Sequence, residues 1–267
     1  MTKADITRLE RVAWEAVRAG ERELLRLFQK SEPSDFSYKK NREIITTSDL
    51  ASNDAIIRVL RRETPSFDIL SEESAPRQQS DCLWILDPLD GTTNFAAQLP
   101  LWGISLALVC DAEIELGVVS LPLIGERYLA IKGEGAWRID GKKKSRLHTS
   151  KTQSTKEALG LVCSGYGEKE TRRGETASNI LTLASRSTRR LGAAVIETTW
   201  VANGRADYSL LEGIRPWDVA AGALIVKEAG GSVTKPDGKP WKLGDPDVLF
   251  SAPGLTKKIG NILVRST

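Results

Sequence analysis

An apolar run, Cys82-Leu83-Trp84-Ile85-Leu86, opens directly into Asp87-Pro88-Leu89-Asp90-Gly91-Thr92-Thr93-Asn94-Phe95. The run reads as a buried strand, so two carboxylates emerge together where that strand ends. Carboxylates three residues apart in an open turn can converge on a cation that prefers oxygen ligands. Gly91 lets the backbone approach a ligand where a Cβ would intrude. Thr92, Thr93 and Asn94 add hydroxyls and the N–H groups of a helix start, an arrangement suited to an anion. Metal carboxylates beside an anion cradle point to phosphate-ester chemistry. The plainer reading of the same segment is a strand-to-helix turn with capping Asp residues. An EF-hand loop does not fit, because its sixth position would be Thr92 instead of Gly and its twelfth Gln98 instead of Glu.

The chemistry available is bounded by what the chain lacks. His148 is the only histidine and has no candidate partner nearby in sequence, so catalysis must run on carboxylates, hydroxyls and metals. Cys82, Cys110 and Cys163 each sit in an apolar, strand-like run; their odd number and wide spacing suggest neither a disulfide framework nor a zinc site, and three core thiols are expected. Lys and Arg number 38 against 35 Asp and Glu, a formal net charge of +3, too small to imply a nucleic-acid or membrane partner. The basic group Lys142, Lys143, Lys144 and Arg146 follows Asp140-Gly141 and reads as a solvated hairpin turn. Charges run through the first thirty residues, so neither a secretory signal nor a membrane span is expected and a cytoplasmic location follows as the default.

Ile6, Leu9, Ala13, Ala16, Gly20, Leu24 and Leu27 recur at three- and four-residue intervals and predict a helix over 4–29. Ser31 to Arg42 breaks the pattern and reads as a loop near the site entrance, or as a linker. A second helix is predicted over 48–63, with Leu50, Ile57 and Leu60 inward, ending before Pro65. Apolar runs at 67–70, 83–86, 104–109, 114–121 and 127–131 predict a mostly antiparallel sheet. From residue 158 the pattern becomes strand (158–163), helix (170–184), helix (193–202), strand (206–211) and helix (217–229), an α/β alternation. Length and a 40% hydrophobic content allow one domain or two. No convincing linker separates an α+β half, about 1–150, from an α/β half, about 151–267, and a single unit over 1–267 is expected.

Further acids stand where elements begin or end. Phe67-Asp68-Ile69-Leu70 runs into Ser71-Glu72-Glu73-Ser74; Thr46-Thr47-Ser48-Asp49 starts the second helix; and Arg215-Pro216-Trp217-Asp218 places Pro at a first helical position with Asp two residues later. Each has an ordinary capping or loop-edge reading. Taken together, Glu72-Glu73, Asp87 to Phe95 and Trp217-Asp218-Val219-Ala220-Ala221-Gly222 resemble the signature of the inositol monophosphatase family, lithium-sensitive, magnesium-dependent phosphatases. Arg189-Arg190-Leu191-Gly192-Ala193-Ala194 and Gly204-Arg205-Ala206-Asp207 extend the resemblance over nearly the whole chain. The fold it implies is the layered αβαβα sandwich of the sugar-phosphatase superfamily, and the assembly it implies is a homodimer.

By resemblance, Glu72, Asp87 and the Leu89 carbonyl hold one Mg²⁺, while Asp87, Asp90 and Asp218 hold a second. Glu73 supports this set and can hold a third ion through water; Mn²⁺ can substitute. Asp49 and Thr92 are the pair that orients the attacking water. Gly91, Thr92, Thr93, Gly192, Ala193, Glu212 and Arg215 are the implied substrate contacts. Asn94-Phe95 after the double threonine resembles the inositol- and sugar-phosphate branch, which favours inositol 1-phosphate as the ester hydrolysed. One departure is plain: where inositol-specific members carry Glu seven residues before the last Asp, this chain has Leu211, and Glu212 could serve only with a shift of backbone register. Arg215, Lys39 and Lys40 are candidate contacts for a second phosphate, so fructose 1,6-bisphosphate and an adenosine bisphosphate stay open, as does histidinol phosphate. A regulatory binding module on the same fold is the non-enzyme alternative; the intact acidic set argues against it, because such carboxylates repel one another unless a cation is bound.

Overall fold

The computed structural model describes residues 2–30, 36–38, 43–74, 80–141 and 143–265. Lys39, Lys40 and Lys142 lie outside the described residues, as does most of the 31–42 loop.

Helix α1 (Lys3–Phe28) starts at a Thr2–Asp5 capping box and buries Ile6, Leu9, Ala13, Ala16 and Leu24, the stripe expected from its spacing. A short hairpin of β1 (Ser37–Tyr38) and β2 (Ile44–Ile45) leads to helix α2 (Thr47–Glu63). Leu50 does not face inward: it is 48% exposed, and Ile56, Ile57, Val59 and Leu60 are the buried apolar residues of α2. The capping box between Thr46 and Asp49 turns Asp49, Ser52 and Asn53 inward, which leaves Leu50 on the outer face. At Gly20 a Cβ would meet Ile56 and Ser52 at 2.7 Å, so the two helices cross too closely for any side chain there.

Seven strands form the first sheet, in the order β3 (Asp68–Ser71), β4 (Cys82–Asp90), β5 (Gly103–Cys110), β6 (Glu113–Leu121), β7 (Glu126–Ile131), β8 (Gly135–Asp140), β9 (Lys143–Arg146). All neighbours are antiparallel except β3 and β4. Strand β5 is buried throughout because both of its faces are covered. Ile104, Leu106 and Leu108 pack toward α1 and α2; Ala107 and Val109 pack toward the other face. Of the basic group after Gly141, Lys143, Lys144 and Arg146 lie on β9 of the β8–β9 hairpin, as expected. Cys82 and Cys110 are direct partners across β4 and β5 and are joined as a disulfide, which corrects the expectation of three thiols. Sequence spacing is no guide here, because an antiparallel register brings residues 28 apart into opposition.

The second sheet has the order β11 (Ser187–Arg189), β10 (Leu159–Ser164), β12 (Tyr208–Glu212), β14 (Asp247–Ser251), β13 (Ser232–Thr234). Helices α5 (Ala194–Ala202) and α6 (Pro216–Glu228) fill the space between the sheets. The outer face of the second sheet carries α4 (Glu168–Ala184) and α7 (Thr256–Arg265). The layers thus read αβαβα. Close approach in the middle layer is set by small residues: a Cβ on Gly117 of β6 would lie 2.9 Å from the Ala221 carbonyl of α6, and one on Gly222 would lie 2.5 Å from Thr198 Oγ1 of α5. No described helix is long and apolar enough to cross a membrane.

Candidate active site

The parallel pairing of β3 with β4 ends at Ser71↔Leu86, so the next residues, Glu72 and Asp87, emerge side by side. Strand β4 does not end there, as the sequence suggested. Its ladder with β5 breaks after Asp87 and resumes at Asp90↔Gly103, a bulge in which Pro88 has no N–H to give. Ser52 Oγ of α2 takes up the Pro88 carbonyl at 2.8 Å. The two Asp residues are therefore re-aimed on a bulged strand instead of hanging in an open turn. Gly91 follows at φ +86°, where a Cβ would meet the Leu101 carbonyl at 2.8 Å, and the short helix α3 (Thr92–Ala96) begins.

Four of the acids, Asp49, Asp87, Asp90 and Asp218, each give one oxygen to the backbone. Asp87 Oδ1 accepts from Leu89 N at 3.0 Å, Asp90 Oδ2 from Val195 N at 2.7 Å and Asp218 Oδ2 from Arg215 N at 2.6 Å. Asp49 Oδ2 accepts from Thr46 N at 2.7 Å and from Thr46 Oγ1 at 2.6 Å. The second oxygen of Asp49 accepts from Thr92 Oγ1 at 2.9 Å. Thr92 Oγ1 also lies 3.0 Å from the Leu89 carbonyl. The second oxygens of Asp87, Asp90 and Asp218 have no hydrogen-bond donor among the described residues.

Those three acids and Glu72 line one cleft of about 500 Å³, together with Leu89, Thr92, Thr93, Gly192, Ala194 and Arg215. Asp49 lies behind Thr92, 1% exposed; burial raises its carboxyl above the usual range, and Glu73 adds to the rise. Ala193 stands 3.1 Å from where a Cβ on Gly91 would lie, packing behind the cleft wall. Glu212 is not in the cleft. Strand β12 runs without a register shift, pairing Leu211 with Cys163 and Glu212 with Ser164. Leu211 is buried in the middle layer, and the alternation of a strand then sends Glu212 to the α4 side, where Arg173 and Asp247 act on it. Glu43, Tyr166, Glu170 and Arg190 also line the cleft, and no motif in the sequence singled them out as site residues. Tyr166 reaches Thr93 across it, oxygen to oxygen at 3.2 Å.

Burial pushes the Asp87 carboxyl well above the usual range, and the neighbouring charges of Glu72, Asp90 and Asp218 push it further. Asp90 is raised in the same way, by burial and then by Asp218. Burial lifts Asp218 to about 6. Cys163, beside them, has its thiol raised by burial and by Glu197, Asp90 and Asp218, which makes it a poor nucleophile at neutral pH. Among the described residues no three of His, Cys, Asp and Glu close into a preformed ligand group; the acids share a cleft and a field. Unbonded oxygens on buried, mutually repelling acids fit a hard cation, and the donors are all oxygen.

A pH dependence follows. Glu197 of α5 is fully buried, and burial raises its carboxyl from 4.5 to about 7. The folded, metal-free protein therefore holds protons that the unfolded chain has released, so its stability falls as pH rises from about 4.5 to about 7. The Glu197 shift alone corresponds to a loss on the order of 3 kcal/mol across that window. Melting in EDTA is expected to move down in temperature between pH 5 and pH 7.5; a flat or rising profile would contradict the buried-acid assignment.

The layered fold and the acid-lined cleft define a phosphomonoester hydrolase. Residues 2–266 match the inositol monophosphatase family, and the chain belongs to it. It is 34% identical over 256 residues to the Nus factor SuhB of Pasteurella multocida, covering 94% of this chain and 93% of that one. It is 36% identical over 213 residues to a fructose-1,6-bisphosphatase/inositol-1-monophosphatase of Thermotoga maritima, covering 79% and 78%. The inositol monophosphatase structure from Anabaena superposes with a TM-score of 0.86 at 30% identity, covering 98% of this chain and 97% of that one. The family is metal-dependent.

Proposed function

We propose that the protein hydrolyses phosphate monoesters of cyclitols or sugars with Mg²⁺, inositol 1-phosphate first among them. The observation that carries this reading is the convergence of Glu72, Asp87 and Asp90 from one sheet with Asp218, at the start of α6, on a cleft that also presents Thr92. Because acids from both halves meet there, residues 1–267 act as one unit in this reading.

Glu72, Asp87 and the Leu89 carbonyl would hold one ion, and Asp87, Asp90 and Asp218 a second. Glu73, close behind, would support them or hold a third. When bound, such ions make a water acidic and neutralise charge on the leaving oxygen. The chain supplies the rest. Thr92 donates its own proton to Asp49 Oδ1, so its lone pairs are turned to accept a proton from the attacking water. Gly91, Thr92 and Thr93 form the turn against which the phosphate rests, and Gly192 and Ala194 form the opposite wall, with Ala193 packed behind it. In-line attack of that water on phosphorus would form the new P–O bond as the ester P–O bond breaks; the departing oxygen takes a proton from solvent water and leaves as the alcohol, and the proton passed through Thr92 to Asp49 returns to solvent.

With Leu211 in the core and Glu212 on the far face, no acid of β12 accepts a ring hydroxyl. Loss of one such acceptor weakens discrimination by roughly 1–3 kcal/mol, so broad use of esters is part of the proposal, and Arg215 at the rim offers a cation to a second phosphate. Phosphate release from inositol 1-phosphate, fructose 1,6-bisphosphate, histidinol phosphate and 3′-phosphoadenosine 5′-phosphate tests it; turnover of none of the four would sink it. A second reading, a Nus-factor-type role through binding instead of turnover, is favoured by the name of the Pasteurella relative. It predicts a protein whose function survives loss of the cleft acids.

An all-oxygen site selects Mg²⁺ or Mn²⁺ over softer metals. EDTA is expected to abolish phosphate release, Mg²⁺ or Mn²⁺ to restore it, and Ca²⁺ to restore little because its coordination is loose. Lithium inhibition is expected on the family resemblance. Activity surviving exhaustive chelation would contradict the metal assignment.

A further inference from the structure

The segment from Arg190 to Ala193 enters the cleft with no regular structure of its own, and Gly192 sits at φ +71°. Its backbone is nevertheless held on both sides. Asn94 Nδ2 donates to the carbonyls of Leu191 at 2.8 Å and Gly192 at 3.4 Å, and to Leu101 O at 2.8 Å. On the amide side, Leu191 N donates to Glu197 Oε1 at 3.2 Å. The Gly192 N–H also bonds the Glu197 carboxyl. The other oxygen, Oε2, accepts from Ser209 Oγ of β12 at 3.1 Å.

Glu197 is out of place by every packing criterion. It is 0% exposed, it lies in the otherwise apolar start of a helix, Ala194-Val195-Ile196, and it does not line the cleft. Burying a carboxyl there costs stability that an apolar side chain of like size would not. What only a carboxylate offers at this position is two acceptor oxygens facing three donors. Glutamine keeps one acceptor oxygen for the backbone N–H groups but carries no charge, and its amide N–H must turn the Ser209 hydroxyl from donor to acceptor.

We propose that Glu197 is a positioning residue for the hydrolysis: it clamps the Leu191–Gly192 backbone from behind and so sets the Gly192–Ala194 wall against which the phosphate ester binds. This rests on the phosphatase reading of the cleft. Glu197 touches neither substrate nor reacting atoms, and its effect is on fit.

The test is Glu197→Gln and Glu197→Asp, alone and with Asn94→Ala, measured for KM and kcat with the best ester of the panel at saturating Mg²⁺. Amide hydrogen exchange over residues 190–195 is followed in the same proteins without substrate. Glu197→Gln is expected to raise KM about tenfold while kcat changes less than about threefold, the size of one lost charge-assisted bond. Exchange over that segment should quicken, and Glu197→Asp, which keeps the charge on a shorter arm, should fall between wild type and Gln. Combined with Asn94→Ala, the KM effects should be less than multiplicative because both groups grip one segment. Unchanged KM in both Glu197 variants overturns the proposal, as does unchanged exchange. Should Glu197→Gln not fold, Glu197→Asp alone decides by the same readings. A wild type that hydrolyses none of the esters fails the phosphatase reading instead, and quickened exchange in the variants would still report the clamp.

Discussion

Asp87→Asn protein is expected to lose about a thousandfold or more of its metal-dependent turnover, beyond the 10–100-fold typical of groups outside the metal's own ligands. In EDTA at neutral pH the same protein should melt at a higher temperature than wild type. Both effects come from one position. Asp87 is 1% exposed, and its carboxyl is raised by burial and by Glu72, Asp90 and Asp218. Asparagine keeps the acceptor for the Leu89 N–H that Oδ1 now serves, and its amide hydrogens meet acids that the charge had repelled. Without metal the substitution relieves repulsion; with metal it removes the side chain assigned to both ions. Mg²⁺ should therefore raise the wild-type melting temperature and move the variant much less. Paired melting curves with and without Mg²⁺, together with steady-state rates, decide this. Turnover near wild type at saturating Mg²⁺ would show that Asp87 is not the shared ligand.

The second large effect concerns the water. Thr92→Ala and Asp49→Asn should each lower kcat by roughly 10²–10⁴, the range of acid–base assistance. Asp49 acts only through Thr92, because its Oδ2 is committed to Thr46 and its Oδ1 to the threonine hydroxyl. Asparagine at 49 must keep its oxygen on the two Thr46 donors, which turns its N–H toward Thr92. The threonine proton is then left to the Leu89 carbonyl. Because one proton path is involved, the double variant should be little worse than the worse single variant. Thr92→Ser keeps the hydroxyl and should retain much of the rate. Single-turnover phosphate release at saturating Mg²⁺ measures all four. If the losses multiply, or if Ser is as damaging as Ala, Asp49 is a helix cap and nothing more.

The capping reading of Asp49 and Asp218 and their chemical reading looked like rivals in the sequence. They are compatible because a carboxylate has two oxygens: one is spent on a backbone N–H, and the other is left for the cleft in Asp218 and for the Thr92 hydroxyl in Asp49. Helices α1 and α2 were legible from spacing, and β4, β5 and β6 from apolar runs with turn residues between them. The rotation of α2 was not, since Leu50 looks like a core residue until the Thr46–Asp49 box fixes which face turns inward. Nothing local told that β3 lies parallel to β4, which is what brings Glu72 beside Asp87, or that β12 keeps its register and turns Glu212 away. Strand β13 is not legible, since three residues are too few to show a period. Glu197 did leave a trace: a lone acid inside the apolar run Ala193 to Ala202.

Main chain lays the two walls assigned to the phosphate in the proposed function, with Gly91 and Gly192 both at positive φ and Gly91 pressed between Leu101 and Ala193. Such positions admit almost no replacement. Tyr166, Glu170, Arg190 and Arg215, which also line the cleft, meet it through side chains carried on loops and on α4. If the cleft is the phosphatase site proposed above, substitutions among these four side chains would change which alcohol is accepted and leave the groups assigned to bond cleavage in place.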